Sequence, residues 1–506
     1  MKFSTIPALL VLAAASTALP AAAAGAAAPS PIVPDAVTSH SIVLHGNRYA
    51  YTARAGLIAL RDQNDKQAAT MFYTAYTLDG ANSRKRPVTF FYNGGPGSAT
   101  IWLRMGSFGP VRVVVGNAAM TPPAPYSLVD NQYSLLDTSD LVFVDMAASG
   151  YGRILPGADA KKIFGSDNDV HAFAQFIERY LKRFNRWNSP KFLFGESYGT
   201  PRSAMLVDYL QNQGIGINGV VLQSSILNYG LASSDTYGGA STDDWQFIFA
   251  LPTEAATAWY FKAVPGAPAS LPDYANEVRT FAMGEYRNAL AQGVNLPPAE
   301  YDKVVATLHR YTGVSEAYIR NANLRIDGSR FLAEFRRNQG RTQGAYDGRY
   351  WLYTVDRESP NPQLEATDAS IDSAYVASQN AYFHDVLKYE TPLLYLTGAY
   401  QAIAQTGEWN FKHRGELPIN TAPDLQEAMT YNPNLRVFSA NGYYDSVTPW
   451  LATIYTLGHL ELEKPLQGHI SYGFYPAGHM IYLNPVALAQ FHDDLERWYR
   501  NTLNVR

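Results

Sequence analysis

One five-residue run constrains this chain more than any other: Gly195-Glu196-Ser197-Tyr198-Gly199. It follows the apolar stretch Lys191-Phe192-Leu193-Phe194 and precedes the helical stretch Ser203–Leu210. A serine with glycine two places before and two after, set between a strand and a helix, has the pattern of a nucleophile elbow. The turn is sharp enough to force the serine into a strained backbone, so the flanking positions must lack side chains. A bare Gly-x-Ser-x-Gly also occurs in ordinary loops, and it is the strand before and the helix after that give this one meaning. The run therefore predicts an α/β fold with Ser197 at the carboxyl end of a strand.

The rest of the chain reads consistently with that placement. Alternation from about Ser39 to Thr77, as in Tyr49-Ala50-Tyr51-Thr52, predicts antiparallel strands at the start of a sheet. Short apolar runs follow at Val88–Tyr92, Leu141–Val144, Lys191–Phe194 and Gly219–Leu222. A helix fits between the second and third of these. Val170, Phe173, Phe176, Ile177, Tyr180, Leu181 and Phe184 form its apolar face, and Ser166 or Asp167 is available as its cap. Strand, helix and strand in this order argue for parallel units in a mostly parallel sheet buried on both faces. After Tyr229 helical patterns dominate, among them 273–291 and 298–309, and strand-like runs return at 435–438 and 470–474 before a last helix from about Val486 to Leu503. The expected organisation is an α/β core over 39–230, a mostly helical insertion over 231–400 that narrows access to a site, and the rest of the core over 401–506.

The chain has 506 residues and no Cys, which excludes disulfides, thiol nucleophiles and thiolate metal sites. Its 17% charged residues and net charge of −4, without a long basic run, argue against a nucleic-acid partner. Lys2 followed by the apolar stretch Ile6–Ala15 and small residues reads as a signal peptide over about 1–24, with cleavage between 22 and 28. No other stretch could span a bilayer, so the chain is expected to be exported, periplasmic or secreted. Export without cysteine points to a bacterial source.

Ser197 needs a base and a group to orient it, in the chain order nucleophile, acid, histidine. Of the late histidines, His492 lies on the last helix, His459 in a helical stretch, and His469 at the wrong end of the last strand. His479 follows that strand in Pro476-Ala477-Gly478-His479-Met480, and Asp445 follows the strand before it. An oxyanion also needs donors. The N–H of Tyr198 supplies one, and the loop Asn93-Gly94-Gly95-Pro96-Gly97-Ser98 is placed to supply another.

Taken together, Asn93-Gly94-Gly95-Pro96-Gly97-Ser98, the elbow, Asp445 after a strand and Gly478-His479-Met480 resemble the serine carboxypeptidase family, which includes carboxypeptidase Y and cathepsin A. The resemblance implies an α/β-hydrolase fold with a helical insertion, and release of C-terminal residues from peptides with a free C-terminus. It implies Ser197, Asp445 and His479 as the triad and the N–H groups of Gly95 and Tyr198 as the oxyanion hole. Asn93, Gly94 and Glu196 would face the substrate, with Asn93 and Glu196 holding its terminal carboxylate. The chain departs from the family at Ser98, where many members have Cys, at Phe91 in place of Trp, at Tyr443 in place of Asp, and in lacking a Pro after Asp145-x. Esterase or acyltransferase chemistry on the same triad, or a binding protein on a dead scaffold, are the competing readings. No cofactor or metal is expected, since there is no Cys and no closely spaced His pair.

Overall fold

A computed structural model describes residues 33–231 and 243–504. The expected signal peptide lies outside the described residues, as do residues 232–242 of the expected insertion.

The amino-terminal alternation forms three long antiparallel strands: β1 (Ala36–Leu44), β2 (Asn47–Arg61) and β3 (Gln67–Leu78). β1 is an edge strand and alternates between exposed and buried positions, whereas β3 is buried along most of its length. Six shorter strands follow: β4 (Val88–Tyr92), β5 (Asp140–Val144), β6 (Lys191–Glu196), β7 (Gly219–Gln223), β8 (Arg436–Gly442) and β9 (Ile470–Tyr475). They join the first three in one sheet of order β1-β2-β3-β5-β4-β6-β7-β8-β9. From β5 to β9 every pairing is parallel. Parallel strands are covered on both faces, and β4, β5, β6 and β7 are accordingly buried at every residue.

One face is covered by α2 (Ser166–Arg183) and α3 (Gly199–Asn212), after the short α1 (Ile101–Gly106); Phe173, Phe176, Leu206 and Leu210 pack there. The other face carries the last helix (Pro485–Leu503), through Phe491, Leu495, Trp498 and Tyr499. Phe91 lies stacked between Phe143 and Phe194 with ring centroids 4.7 and 4.8 Å away. The sheet order, with helices on both faces and an elbow at the end of a central strand, is the α/β-hydrolase fold.

Between β7 and β8 the chain is mostly helical. It contains α4 (Trp245–Tyr260), α5 (Leu271–Phe281), α6 (Pro298–Thr312) and α7 (Ala366–Ala381), and the last helix of the chain is then α8. Ile248, Leu251, Val278, Val305 and Phe331 form a separate core there, which Tyr443, Tyr444 and Trp450 from beyond β8 also enter. Among the described residues no helix is long and apolar enough to cross a membrane.

Two local expectations need correction. Neither Ser166 nor Asp167 caps α2; Gly165, at φ 106°, takes the cap position and the other two are the first helical residues. Their side chains are engaged elsewhere. Asp167 pairs with His413 at 2.6 Å, and Ser166 Oγ accepts from the Tyr198 hydroxyl at 3.1 Å. The helix expected over 273–291 is interrupted by a π-turn at Ala282–Tyr286. The wider turn lets Phe281 and Tyr286 stack at 6.0 Å while the Tyr286 hydroxyl donates to Leu324 O at 2.6 Å.

Candidate active site

The elbow forms where β6 meets α3. Ser197 sits half-buried at φ 59°, in the left-handed region that costs a non-glycine residue about 1–2 kcal/mol. Crowding explains the glycines. A Cβ on Gly195 would lie 2.1 Å from Gly199 O, and one on Gly199 would lie 2.9 Å from Tyr92 O. The Ser197 N–H donates to Gln223 O at 3.0 Å, which ties the turn to the end of β7. Among the described residues the Ser197 hydroxyl makes no hydrogen bond, so a serine–histidine bond is not formed here. Catalytic bonds of this kind are often long before substrate binds.

Asp445 and His479 meet at the carboxyl ends of β8 and β9. His479 Nδ1 lies 2.8 Å from Asp445 Oδ2, and the two residues are only 2% and 1% exposed. Asp445 is fixed from every side. Its Oδ1 accepts from the N–H groups of Val447 and Thr448, both at 2.9 Å, and its Oδ2 accepts from the Thr448 hydroxyl at 2.6 Å. Burial opposes charge on His479, but the Asp445 carboxylate and the bond to it, with Glu196 adding a smaller attraction, hold the imidazole pKa above its ordinary value. The loop is brought to Ser197 through its backbone. The carbonyl of His479 accepts from Gln223 Nε2 at 3.2 Å and from Ser224 Oγ at 2.7 Å, directly beyond the strand that anchors Ser197.

Glu196 and Asn93 also come together. Asn93 Nδ2 donates to Glu196 Oε1 at 2.8 Å, and Gln223 Nε2 donates to Oε2 at 2.9 Å. The Tyr482 hydroxyl is 3.4 Å from Oε1. Asn93 is itself locked, its Oδ1 accepting from Leu103 N at 3.2 Å and its carbonyl from Arg202 at 2.7 Å. Burial pushes the Glu196 carboxyl up to about 7, against the opposing pull of His479, Tyr482 and Asn93.

Gly94 and Gly95 stand over the elbow. A Cβ on Gly94 would lie 2.3 Å from Tyr198 N and 2.7 Å from Glu196 O, both backbone atoms. Gly95 is exposed, at φ 105°, with Tyr400 of the insertion nearby. Gly94→Ala is therefore expected to displace the elbow itself. Turnover should fall by at least about 10²–10³-fold, the effect of losing one oxyanion donor, and thermal unfolding should shift downward; steady-state kinetics and a melting curve check both.

Several partners escaped the sequence reading. Tyr346 packs its ring 5.1 Å from that of His479, and its carbonyl accepts the His479 N–H at 2.6 Å. Asp347 accepts from Gly478 N at 3.0 Å while paired at 2.5 Å with buried Arg349. Gln223 and Tyr482 likewise reach Glu196 from distant parts of the chain, with no spacing that could have signalled it. Thr448 is different. Asp445-x-x-Thr448 is a local turn in which the aspartate caps the backbone, and that pattern is readable.

Residues 46–235 match the family model described as serine carboxypeptidase. A P-(S)-hydroxymandelonitrile lyase from Sorghum bicolor is 25% identical over 187 residues, which is 36% of this chain and 34% of that protein. The match thus spans about a third of the length of that curated relative. Among solved structures, a proline iminopeptidase from Mycobacterium smegmatis is 12% identical, with a TM-score of 0.34 over 89% of this chain and 98% of that one. A carboxyl esterase from Bacillus coagulans is 10% identical, with a TM-score of 0.36 over 89% and 99%. Asp445 and His479 lie beyond the residues that the family model matches. Over residues 46–235, which hold both the Asn93–Ser98 loop and the Ser197 elbow, the chain carries the sequence pattern of the serine carboxypeptidase family.

Proposed function

We propose that this protein is a serine-type carboxypeptidase that releases C-terminal residues from peptides through an acyl-enzyme intermediate. The observation that carries the reading is the buried Asn93–Glu196 pair directly beside Ser197. An ester hydrolase has no evident use for a carboxyl group next to its nucleophile, whereas a carboxypeptidase must recognise a terminal carboxylate. Two carboxylates can share a hydrogen bond only if one keeps its proton. Burial gives Glu196 that capacity, and Asn93 offers a neutral donor beside it.

In the proposed reaction Ser197 Oγ attacks the scissile carbonyl while His479 takes its proton. The N–H groups of Gly95 and Tyr198 face the oxyanion. The C–N bond then breaks, and the leaving amino acid receives its proton from His479. Water repeats the sequence on the acyl-enzyme, which restores Ser197 and frees the shortened peptide.

The pH dependence follows from two groups. With its carboxyl pushed up to about 7, Glu196 is protonated below that pH and loses its proton above it. Peptide binding is therefore retained below about 7 and lost as pH climbs, so KM rises on the alkaline side. His479 has a raised pKa and must be neutral to act as base, so kcat falls as pH drops through that value. Because ionised Glu196 itself raises the His479 pKa, the two titrate as a coupled pair. Glu196→Gln can donate at any pH and should flatten the alkaline rise in KM. Substrates with a blocked C-terminus should show no such rise in the wild type. A pH-independent KM for peptides, or an alkaline rise that survives Glu196→Gln, would remove this role.

Mass spectrometry of a defined peptide tests the activity itself. Loss of residues from the C-terminus supports the proposal; an ester cleaved or an added alcohol acylated, with the peptide left whole, would favour the esterase or acyltransferase reading. Export remains part of the proposal, and amino-terminal sequencing of the protein recovered outside the cytoplasm checks it.

A further inference from the structure

Far from the elbow, the fold joins two histidines from opposite ends of the chain. His45 lies in the turn between β1 and β2, and His492 lies on α8 one turn before Glu496. Among the described residues, this trio is one in which a ligand atom from each lies within 4.8 Å of the others. The Nε2 of His45 is 3.7 Å from Glu496 Oε1 and 3.5 Å from Asp137 Oδ2. Ligand atoms around a tetrahedral zinc, with bonds near 2.0–2.1 Å, stand about 3.4 Å apart. The separation of His45 from Glu496 is already close to that.

Four further observations point to a ligand. His492 is 1% exposed, and its Nε2 is buried without a hydrogen-bond partner. An orphaned buried ring nitrogen is costly unless something satisfies it. The other nitrogen, Nδ1, is 3.2 Å from Asp493 Oδ1, the arrangement that fixes the tautomer of a metal-binding histidine and leaves Nε2 free to coordinate. His492 and Glu496 are four apart on one helix face, a spacing that brings two side chains to one ion. Finally, the two-residue turn His45-Gly46 has both residues at positive φ, 49° and 79°. Such a type I′ turn favours Asn or Asp in the first place. A histidine held there at some local cost suggests that its ring is needed.

We propose that His45, His492 through Nε2, and Glu496 bind a zinc ion. The role is structural. β1 and β3 run opposite to the parallel strands, and β2 runs with them, so the β1–β2 turn lies at their amino edge. Asp137, three residues before β5, lies at that same edge. Ser197 is at the carboxyl edge. The ion would tie the first hairpin and the last helix together, as a cross-link in a chain without cysteine.

Calorimetric titration of metal-stripped protein with zinc chloride tests this, together with melting temperature. The expected result is one saturable equivalent per chain and a melting temperature that rises with zinc. His45→Asn suits the turn and should leave the melting temperature of the stripped protein unchanged or raised, while abolishing the zinc-dependent rise. Glu496→Gln should weaken binding by more than the 10–100-fold typical of losing an outer partner, and Asp493→Asn by about 10–100-fold. Hydrolysis by the stripped protein should equal that of the loaded one. The absence of saturable binding in the wild type would overturn the proposal and leave His45 as an ion-pair partner of Asp137 and Glu496 only. So would wild-type zinc affinity in both His45→Asn and Glu496→Gln.

Discussion

Ser197→Ala should reduce turnover on the order of 10⁶-fold, the effect of deleting the nucleophile of such a triad, and should abolish labelling by a fluorophosphonate probe. Folding should be nearly untouched, within about 0.5 kcal/mol, because the hydroxyl is half-buried and makes no hydrogen bond among the described residues. His479→Ala should be about as damaging, and the double variant scarcely worse than either, since these groups act as a unit. Ser197→Gly separates chemistry from strain. It removes a Cβ from a backbone at φ 59°, so stability should rise by about 1 kcal/mol while activity is lost. Calorimetry alongside kinetics reads both effects. Near-normal turnover in Ser197→Ala or His479→Ala would end the assignment.

Asp445→Asn should lower turnover on the order of 10⁴-fold, and the hydrogen bonds say why. Oδ1 is held by two backbone N–H groups, at Val447 and Thr448, which only an oxygen can accept. The amide nitrogen of an asparagine must therefore occupy the place of Oδ2, facing His479 Nδ1. There it donates, and the ring is driven to carry its proton on Nε2, the atom that must accept from the nucleophile. The substitution nearly conserves shape, so melting temperature should change far less than turnover. An Asp445→Asn variant with more than about a tenth of wild-type turnover would refute the orienting role; the benchmark is the 10⁴-fold loss of the triad template.

The fold was legible where local physics decides it. Glycines at 195 and 199, apolar runs bounded by turns and early alternation fixed β2 to β9 and the elbow between β6 and α3. Asp445 and His479 could be picked out because each follows a strand at the edge where Ser197 must stand. What escaped was set by partners remote in sequence. Gln223, Tyr482, Tyr346 and Asp347 hold the site through hydrogen bonds and contacts that leave no spacing behind. The cap of α2 was misplaced for the same reason, since His413 and Tyr198 compete for the two side chains that local rules favour. His45 and His492 show the limit most clearly, lying near the two ends of the chain and meeting only through β1, β2 and α8.

The grip of Tyr346 and Asp347 on the His479 loop changes what the insertion can be. A Cβ on Gly478 would come within 2.2 Å of Tyr346 O, so the two segments are nested rather than merely adjacent. An insertion that swung away as one body would carry off these contacts to the His479 loop. Any movement of the insertion that keeps these contacts must therefore spare the turn from Tyr346 to Arg349. The same nesting restricts how the protein can diversify. An exchange of the whole segment between β7 and β8 would have to reproduce this one turn to keep the His479 loop in place.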